Sequence, residues 1–136
     1  MLHAVFDTNV LVSALIRRGK PRELWNAVLD GRVQLVISND LLSEFDEVIA
    51  RPDFDRYVDR HTIARFRRVL IEKAKISPTT VRFPQITDDP DDNMTLEAAH
   101  SGKARYVISG DDDVLRLKRF REIKIITVGQ ALRMVK

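Results

Sequence analysis

The chain has 136 residues, a length that suits one domain with its own hydrophobic core, and we expect a single domain over residues 1–136. Apolar residues make up 44% of the sequence and charged residues 32%, which describes a soluble globular protein. The net charge is +3, and the absence of cysteine excludes both a disulfide framework and a thiolate zinc site.

The first twenty residues do not resemble a signal peptide, because no basic region precedes their apolar stretch and Asp7 interrupts it. No uncharged run approaches the roughly 20 residues that a membrane span requires. We therefore expect a cytoplasmic protein without a membrane partner.

Basic and acidic residues fall into separate runs along the chain. Basic side chains are concentrated in 17–22, 60–75 and 116–124, and acidic ones in 88–92 and 111–113. A basic surface around an acidic pocket suits a polyanion held near bound cations. Each run taken alone also fits a solvated helix face.

The first half of the chain alternates between short apolar runs and helical patterns. In the second predicted helix, the apolar side chains that recur at core-facing spacing are Leu24, Trp25, Val28 and Leu29. The predicted elements are, in order, a strand over 2–6, helices over 8–16 and 21–31, a strand over 33–37 and a helix over 38–51.

The second half begins with an ambiguous segment, 53–59, before a basic helix over 60–75 whose outward face carries Arg65 and Arg68. The remaining predicted elements are a short strand over 80–83, a helix over 92–101, a strand over 106–109, a helical turn over 113–117, a strand over 123–128 and a helix over 130–135. Near-continuous apolar strands alternating with helices predict an α/β domain, with a mostly parallel central sheet and helices on both faces.

Acidic residues fall where this scaffold would bring them together. Asp7 ends the first strand, Asp111 follows the strand over 106–109, Asp92 heads a helix, and Glu44 lies in the second turn of the helix after Ser38. Because the carboxyl ends of parallel strands share one edge, the four carboxylates can converge there. Taken singly, Asp7 and Asp92 also suit helix caps, Asp111 a turn, and Glu44 a solvated helix face.

Convergent carboxylates repel one another, so this arrangement predicts either a bound cation or shared protons. All-oxygen ligands favour hard cations such as Mg²⁺ or Mn²⁺, which can activate water and stabilise charge on a phosphodiester.

These residues resemble the PIN-domain ribonuclease family over nearly the whole chain. The resemblance is carried by VFDTNVLVSAL at 5–15, SNDLLSEFDEVIARP at 38–52, DDPDDNMTLEAAHSGKARYVISGDDDVL at 88–115 and KIITVGQAL at 124–132. The Asp–Pro–Asp–Asp–Asn segment at 89–93 is similar to that of toxin components of toxin–antitoxin pairs.

The resemblance implies that Asp7, Glu44, Asp92 and Asp111 are catalytic metal ligands. Asn9 and Ser109 would orient their carboxylates. The register stays open in two places, since Asp91 or Asp89 could replace Asp92, and Asp113 could join or replace Asp111.

The family also implies an endoribonuclease that uses Mg²⁺ or Mn²⁺, acts on RNA, forms a homodimer and is inhibited by an antitoxin. Because Arg65 and Arg68 lie on the outward face of the predicted basic helix, we expect them to bind RNA phosphates. A catalytically silent RNA-binding or protein-docking module on the same fold remains the alternative. A phosphatase of the haloacid dehalogenase type is disfavoured, because it needs a second aspartate where Asn9 stands.

Overall fold

The computed structural model describes residues 1–136, and strands and helices alternate along most of the chain. None of its helices is both long enough and apolar enough to cross a lipid bilayer. The elements are β1 Leu2–Phe6, α1 Thr8–Ile16, α2 Lys20–Leu29, β2 Val33–Ser38, α3 Asn39–Ile49, a 3₁₀ helix Pro52–Arg56, α4 Arg60–Lys73, β3 Lys75–Ser77, α5 Pro90–Ser101, β4 Tyr106–Ile108, α6 Asp112–Leu115, β5 Arg119–Phe120, β6 Ile123–Ile126 and α7 Val128–Met134.

The strands form one six-stranded sheet in the order β3-β2-β1-β4-β6-β5. All neighbouring pairs are parallel except β5 and β6, which are antiparallel. The predicted α/β architecture with a mostly parallel sheet is therefore confirmed. In this order β1 and β4 are neighbours at the centre, although about a hundred residues separate them in the chain.

Helices cover both faces of this sheet. Ala4, Val5 and Phe6 are consecutive in β1 and none is more than 1% exposed. Consecutive strand residues point to opposite faces, so both faces at the centre of the sheet are buried. The apolar core contains 32 buried residues contributed by both strands and helices.

The predicted strand over 80–83 is wrong. The strand lies earlier, at Lys75–Ser77, and pairs with β2. Pro78 then removes a ladder donor. The backbone N–H groups of Thr80 and Phe83 bond to side chains of α5 instead of to a strand. The extended segment 80–83 therefore lies against helix α5 and not beside a strand. The apolar pattern of the segment alone does not distinguish these two cases.

Other differences from the predicted elements are smaller. Leu29, expected in the core, is 38% exposed because α2 ends there. The ambiguous segment after α3 contains the 3₁₀ helix, and the two-residue strand β5 is too short for its pattern to predict. Asp89, rather than Asp92, caps α5, and Pro90 occupies its first turn.

Helix α5 contacts β1, β2, β4 and β6, so it packs across the central strands of the sheet. Its first residues lie near Asp7, at the carboxyl end of β1. At its opposite end Gly102 lies against β2, where an added Cβ would overlap the Val36 side chain and come within 3.1 Å of the Ala98 carbonyl oxygen. The missing side chain therefore sets how closely the end of α5 approaches the sheet.

We predict that Gly102→Ala lowers the free energy of unfolding by about 1–3 kcal/mol through overpacking, as measured by chemical denaturation. The matched control is Gly129→Ala within α7, where the nearest neighbouring atom would be 3.8 Å from the new Cβ. That change should leave stability unchanged or raise it by about 0.5–1 kcal/mol. Equal effects of the two substitutions would contradict the close packing assigned to Gly102.

Candidate metal centre at the carboxyl edge of the sheet

A small polar pocket of about 50 Å³ opens beside the carboxyl end of β1, and no hydrophobic residue lines it. Three strand-to-helix connections and α3 contribute to it. The lining residues are Asp7, Thr8, Asn9, Glu44, Asp89, Asp91, Asp92, Thr95 and Asp111.

Asp7 is fixed from two sides. It follows β1 and caps α1, and its Oδ1 accepts a hydrogen bond of 2.7 Å from the Asn9 backbone N–H. Its Oδ2 accepts a bond of 2.6 Å from the hydroxyl of Ser109, which follows β4 and is fully buried. These bonds leave the Asp7 carboxylate little freedom to turn away from the pocket.

Ser109 also links Asp7 to Asp111. The Asp111 backbone N–H donates to the Ser109 Oγ at 3.0 Å, and Asp111 Oδ1 accepts from the Asp113 N–H at 2.8 Å. The Asp113 side chain does not line the pocket. It faces a neighbouring cleft, where Oδ1 lies 3.4 Å from Nη1 of Arg116.

Asp89 and Asp92 come from the start of α5. Asp89 Oδ1 accepts a hydrogen bond of 2.9 Å from the Asp91 N–H, and Asp92, only 5% exposed, accepts one of 2.6 Å from the Thr87 hydroxyl. Carboxylate oxygens of Asp89, Asp92 and Asp111 lie within 4.8 Å of one another and could hold a metal ion.

Glu44 lines the same pocket from α3. Its Oε2 is buried and has no hydrogen-bond partner. Burial raises the pKa of the Glu44 carboxyl to about 7, and the neighbouring Asp91 and Asp7 act in the same direction, while the Thr8 hydroxyl opposes them. A buried carboxylate oxygen without a donor is costly unless a proton or a cation satisfies it.

Two other carboxyls also have raised pKa values. Burial raises the pKa of Asp7, and the charge of Asp111 adds to the effect, although hydrogen bonds from Ser109 and Asn9 oppose it. Burial likewise raises the pKa of Asp92, and the hydrogen bond from Thr87 opposes this rise. The negative charges of Asp111, Asp89 and Asp7 raise the pKa further. The folded protein therefore keeps these anions together at a cost.

All four of the predicted acids line this pocket, and Asp89 and Asp91 join them. Asp89 was an alternative to Asp92, whereas the structure places both at the site. The Asp–Pro pair at 89–90 is a helix-start signal that could have located Asp89. Arg65 and Arg68 are exposed on α4 and do not line the pocket.

The donor set fits a hard divalent cation. Every candidate ligand is an oxygen, several are anionic, and one buried carboxylate oxygen has no protein donor. Mg²⁺ and Mn²⁺ bind carboxylates and water, and either ion would offset the repulsion among these side chains.

Comparisons with known proteins give a family and a fold. A sequence model of the PIN domain matches residues 3–113. No curated protein matches the chain significantly.

The fold is similar to that of a chain in the crystal structure of VapBC2 from Rickettsia felis bound to a DNA fragment from their promoter. The TM-score is 0.63 at 10% identity, over 93% of this chain and 98% of that chain. It is also similar to PAE2754 from Pyrobaculum aerophilum, with a TM-score of 0.60 at 13% identity, over 99% of this chain and 89% of that chain. At such identities the likeness supports the fold alone.

The PIN-domain match begins in β1 and extends through the carboxylates at 89–92 and 111 to α6, which is most of the chain. It therefore includes all of the strands and helices that build the acidic pocket. On this match, the chain belongs to the PIN domain family.

Proposed function

We propose that this protein is a divalent-metal-dependent endoribonuclease that hydrolyses RNA phosphodiester bonds. The observation that carries the proposal is the approach of Asp89, Asp92 and Asp111 carboxylate oxygens to within 4.8 Å, in a pocket that Asp7 and Glu44 also line. PIN domains are generally nucleases, which supports the reaction class.

Asp7, Asp92 and Asp111, together with Asp89, would hold the cation, with Glu44 beside them. A bound Mg²⁺ or Mn²⁺ supplies positive charge for a phosphate oxygen and lowers the pKa of water. Ser109 fixes the Asp7 carboxylate so that it need not reorient during the reaction.

Glu44 has a second role in this proposal, as a proton acceptor. Its Oε2 is buried without a hydrogen-bond donor, and burial raises the pKa of its carboxyl to about 7 when no cation is bound. We assign to Glu44 Oε2 the acceptance of a proton from the attacking water, because Glu44 lines the pocket and a general base must lie within hydrogen-bond reach of the proton that it accepts.

We further propose that the protein is the toxin of a toxin–antitoxin pair, acts as a homodimer and binds an antitoxin protein. The resemblance of segment 89–93 supports this assignment, and the chain shares its fold with a chain of the VapBC2 complex. Co-purification with the product of an adjacent gene would test the antitoxin partner. The mass of the purified complex would test the homodimer. A monomer that binds no such product would contradict this part of the proposal.

The direct test is cleavage of labelled RNA by the wild type and by Asp7→Asn, with Mg²⁺ and with chelator. We expect cleavage by the wild type in Mg²⁺ only and a loss of at least about 100-fold in the variant, because Asn keeps the helix cap and removes the charged ligand. RNA binding without cleavage by the wild type would favour the catalytically silent module instead.

We predict that Asp92→Asn abolishes cleavage and stabilises the metal-free protein by about 1 kcal/mol. Asn can still accept the Thr87 hydrogen bond, whereas the repulsion from the neighbouring carboxylates is lost. Mg²⁺ should then stabilise the variant less than the wild type. Thermal melts in chelator and in Mg²⁺ would measure both effects, and identical melts of the two proteins in both buffers would contradict the prediction.

We predict that the double substitution Arg65→Ala/Arg68→Ala weakens RNA binding more at low salt than at high salt. Both side chains are exposed, and neither forms an ion pair. Counterion release makes phosphate contacts salt-dependent. Binding would be measured in the Asp7→Asn background. Arg67→Ala is the matched control, because Arg67 already pairs with Asp46 at 2.7 Å. Unchanged affinity at low ionic strength would remove α4 from the RNA surface.

A further inference from the structure

The segment that precedes α5, residues 78–89, forms no helix or strand and runs along α5 from its last turn to its first. We call it the strap. At one end Thr80 bonds to Ser101, and at the other Asp89 caps the helix and contributes to the carboxylate cluster. The strap therefore connects the far end of α5 to the candidate metal centre.

A row of polar side chains on α5 satisfies the backbone of the strap. Asn93, Glu97 and Ser101 are spaced four residues apart, so they share one face of the helix. Glu97 is only 6% exposed, and its Oε2 accepts from the Phe83 N–H at 2.7 Å, while Ser101 Oγ accepts from the Thr80 N–H at 2.9 Å.

Asn93 makes the most bonds in this row. Its Nδ2 donates to the carbonyl oxygens of Phe83 and Pro84 at 3.1 and 3.0 Å, and its Oδ1 accepts from the Ile86 N–H at 2.9 Å. One side chain thus uses both amide donors and its acceptor on three backbone groups. It is also only four residues from Asp89 and follows Asp92 directly.

Thr87 transmits this restraint to the cluster. Its hydroxyl donates to Asp92 Oδ2 at 2.6 Å, and the Thr87 Oγ1 accepts from the Asp89 backbone N–H at 3.2 Å. The oxygen of one threonine therefore connects the backbone of one carboxylate residue to the side chain of another. Any shift of residues 83–87 would move Thr87 with them.

We propose that the row on α5 is a positioning device for the metal centre, in which Asn93 and Thr87 hold Asp89 at the distance from Asp92 and Asp111 that a divalent cation requires. The inference rests on the proposed function and deepens it, because it names the residues that position Asp89 in that site. Neither Asn93 nor Thr87 lines the pocket, so both are positioning residues.

The physical need for this device follows from charge. Asp89, Asp92 and Asp111 repel one another when no ion is bound. The strap adds to the helix-cap bond of Asp89 in holding that residue against the repulsion. If the protein restrains Asp89 before the ion binds, the ion need not order the strap, and affinity rises. Mutation of residues that hydrogen-bond to metal ligands typically lowers metal affinity by about 10- to 100-fold.

The test is calorimetric binding of Mn²⁺ alone, without RNA, to the full chain. We expect Asn93→Ala and Thr87→Val each to weaken binding by about 10-fold, and Thr87→Ser, which keeps the hydroxyl, to restore it. Thr87→Val preserves the size of the side chain, so it keeps the inference testable if Asn93→Ala fails to fold.

Gln34→Ala is the matched control for Asn93→Ala. The Gln34 amide also donates to two backbone carbonyls, those of Leu35 and Lys73, but it lies away from the strap. Gln34→Ala should lower the melting temperature and leave Mn²⁺ affinity unchanged. Equal losses of affinity in the control and in Asn93→Ala would overturn the inference, because they would trace the loss to general destabilisation.

A second arm tests whether Asn93 acts through Asp89. In an Asp89→Asn background, Asn93→Ala should weaken Mn²⁺ binding no further, whereas independent effects would multiply. A full additional 10-fold loss would overturn the inference while the wild type still binds Mn²⁺ and the proposed function stands. A wild type that binds no Mn²⁺ contradicts the proposed function, and the inference fails with it.

Discussion

Repulsion among carboxylates within a pocket of about 50 Å³ is the constraint on which the rest of this structure depends. Burial and neighbouring charge raise the pKa values of Asp7, Glu44 and Asp92, so the folded chain holds anions that would be more stable apart. Such an arrangement persists only where the surrounding structure enforces it. The central β1–β4 pair, the start of α5 and the helix α3 provide that enforcement, and the buried core beneath them provides its stability.

Each carboxylate is held by a different local device, and the devices are linked. Asp7 and Asp111 share Ser109, which lies at the end of β4 beside β1. Asp89 and Asp92 share Thr87 in the strap. The first pair lies beside the central strands of the sheet, whereas the second lies at the start of α5, next to the irregular strap. No ladder of backbone bonds supports the strap, so its hold on the second pair depends on side-chain hydrogen bonds.

The same charges connect stability with the proposed chemistry. Repulsion among the carboxylates lowers the stability of the metal-free protein, and a bound cation relieves that repulsion. A stronger repulsion therefore raises the affinity for the cation while it lowers the metal-free stability. Glu44 shows this cost most clearly, because its buried Oε2 has no hydrogen-bond donor and its pKa is raised to about 7. The same missing donor that makes Glu44 costly to bury is what its proposed role as a proton acceptor rests on.

The sequence by itself determined the parallel α/β fold and the location of the acids, because both follow from local patterns. Apolar runs mark the strands, and Asp7 and Asp111 follow two of them directly. Tertiary structure alone decided the rest. The extended run at 80–83 resembles a strand, but Glu97 and its neighbours on α5 capture its backbone groups. Likewise, Asp89 joins the cluster because Thr87 and α5 bring it there. The pattern of apolar and polar residues within a segment indicates the conformation of that segment. It does not indicate the hydrogen-bond partner, which comes from residues distant in the chain.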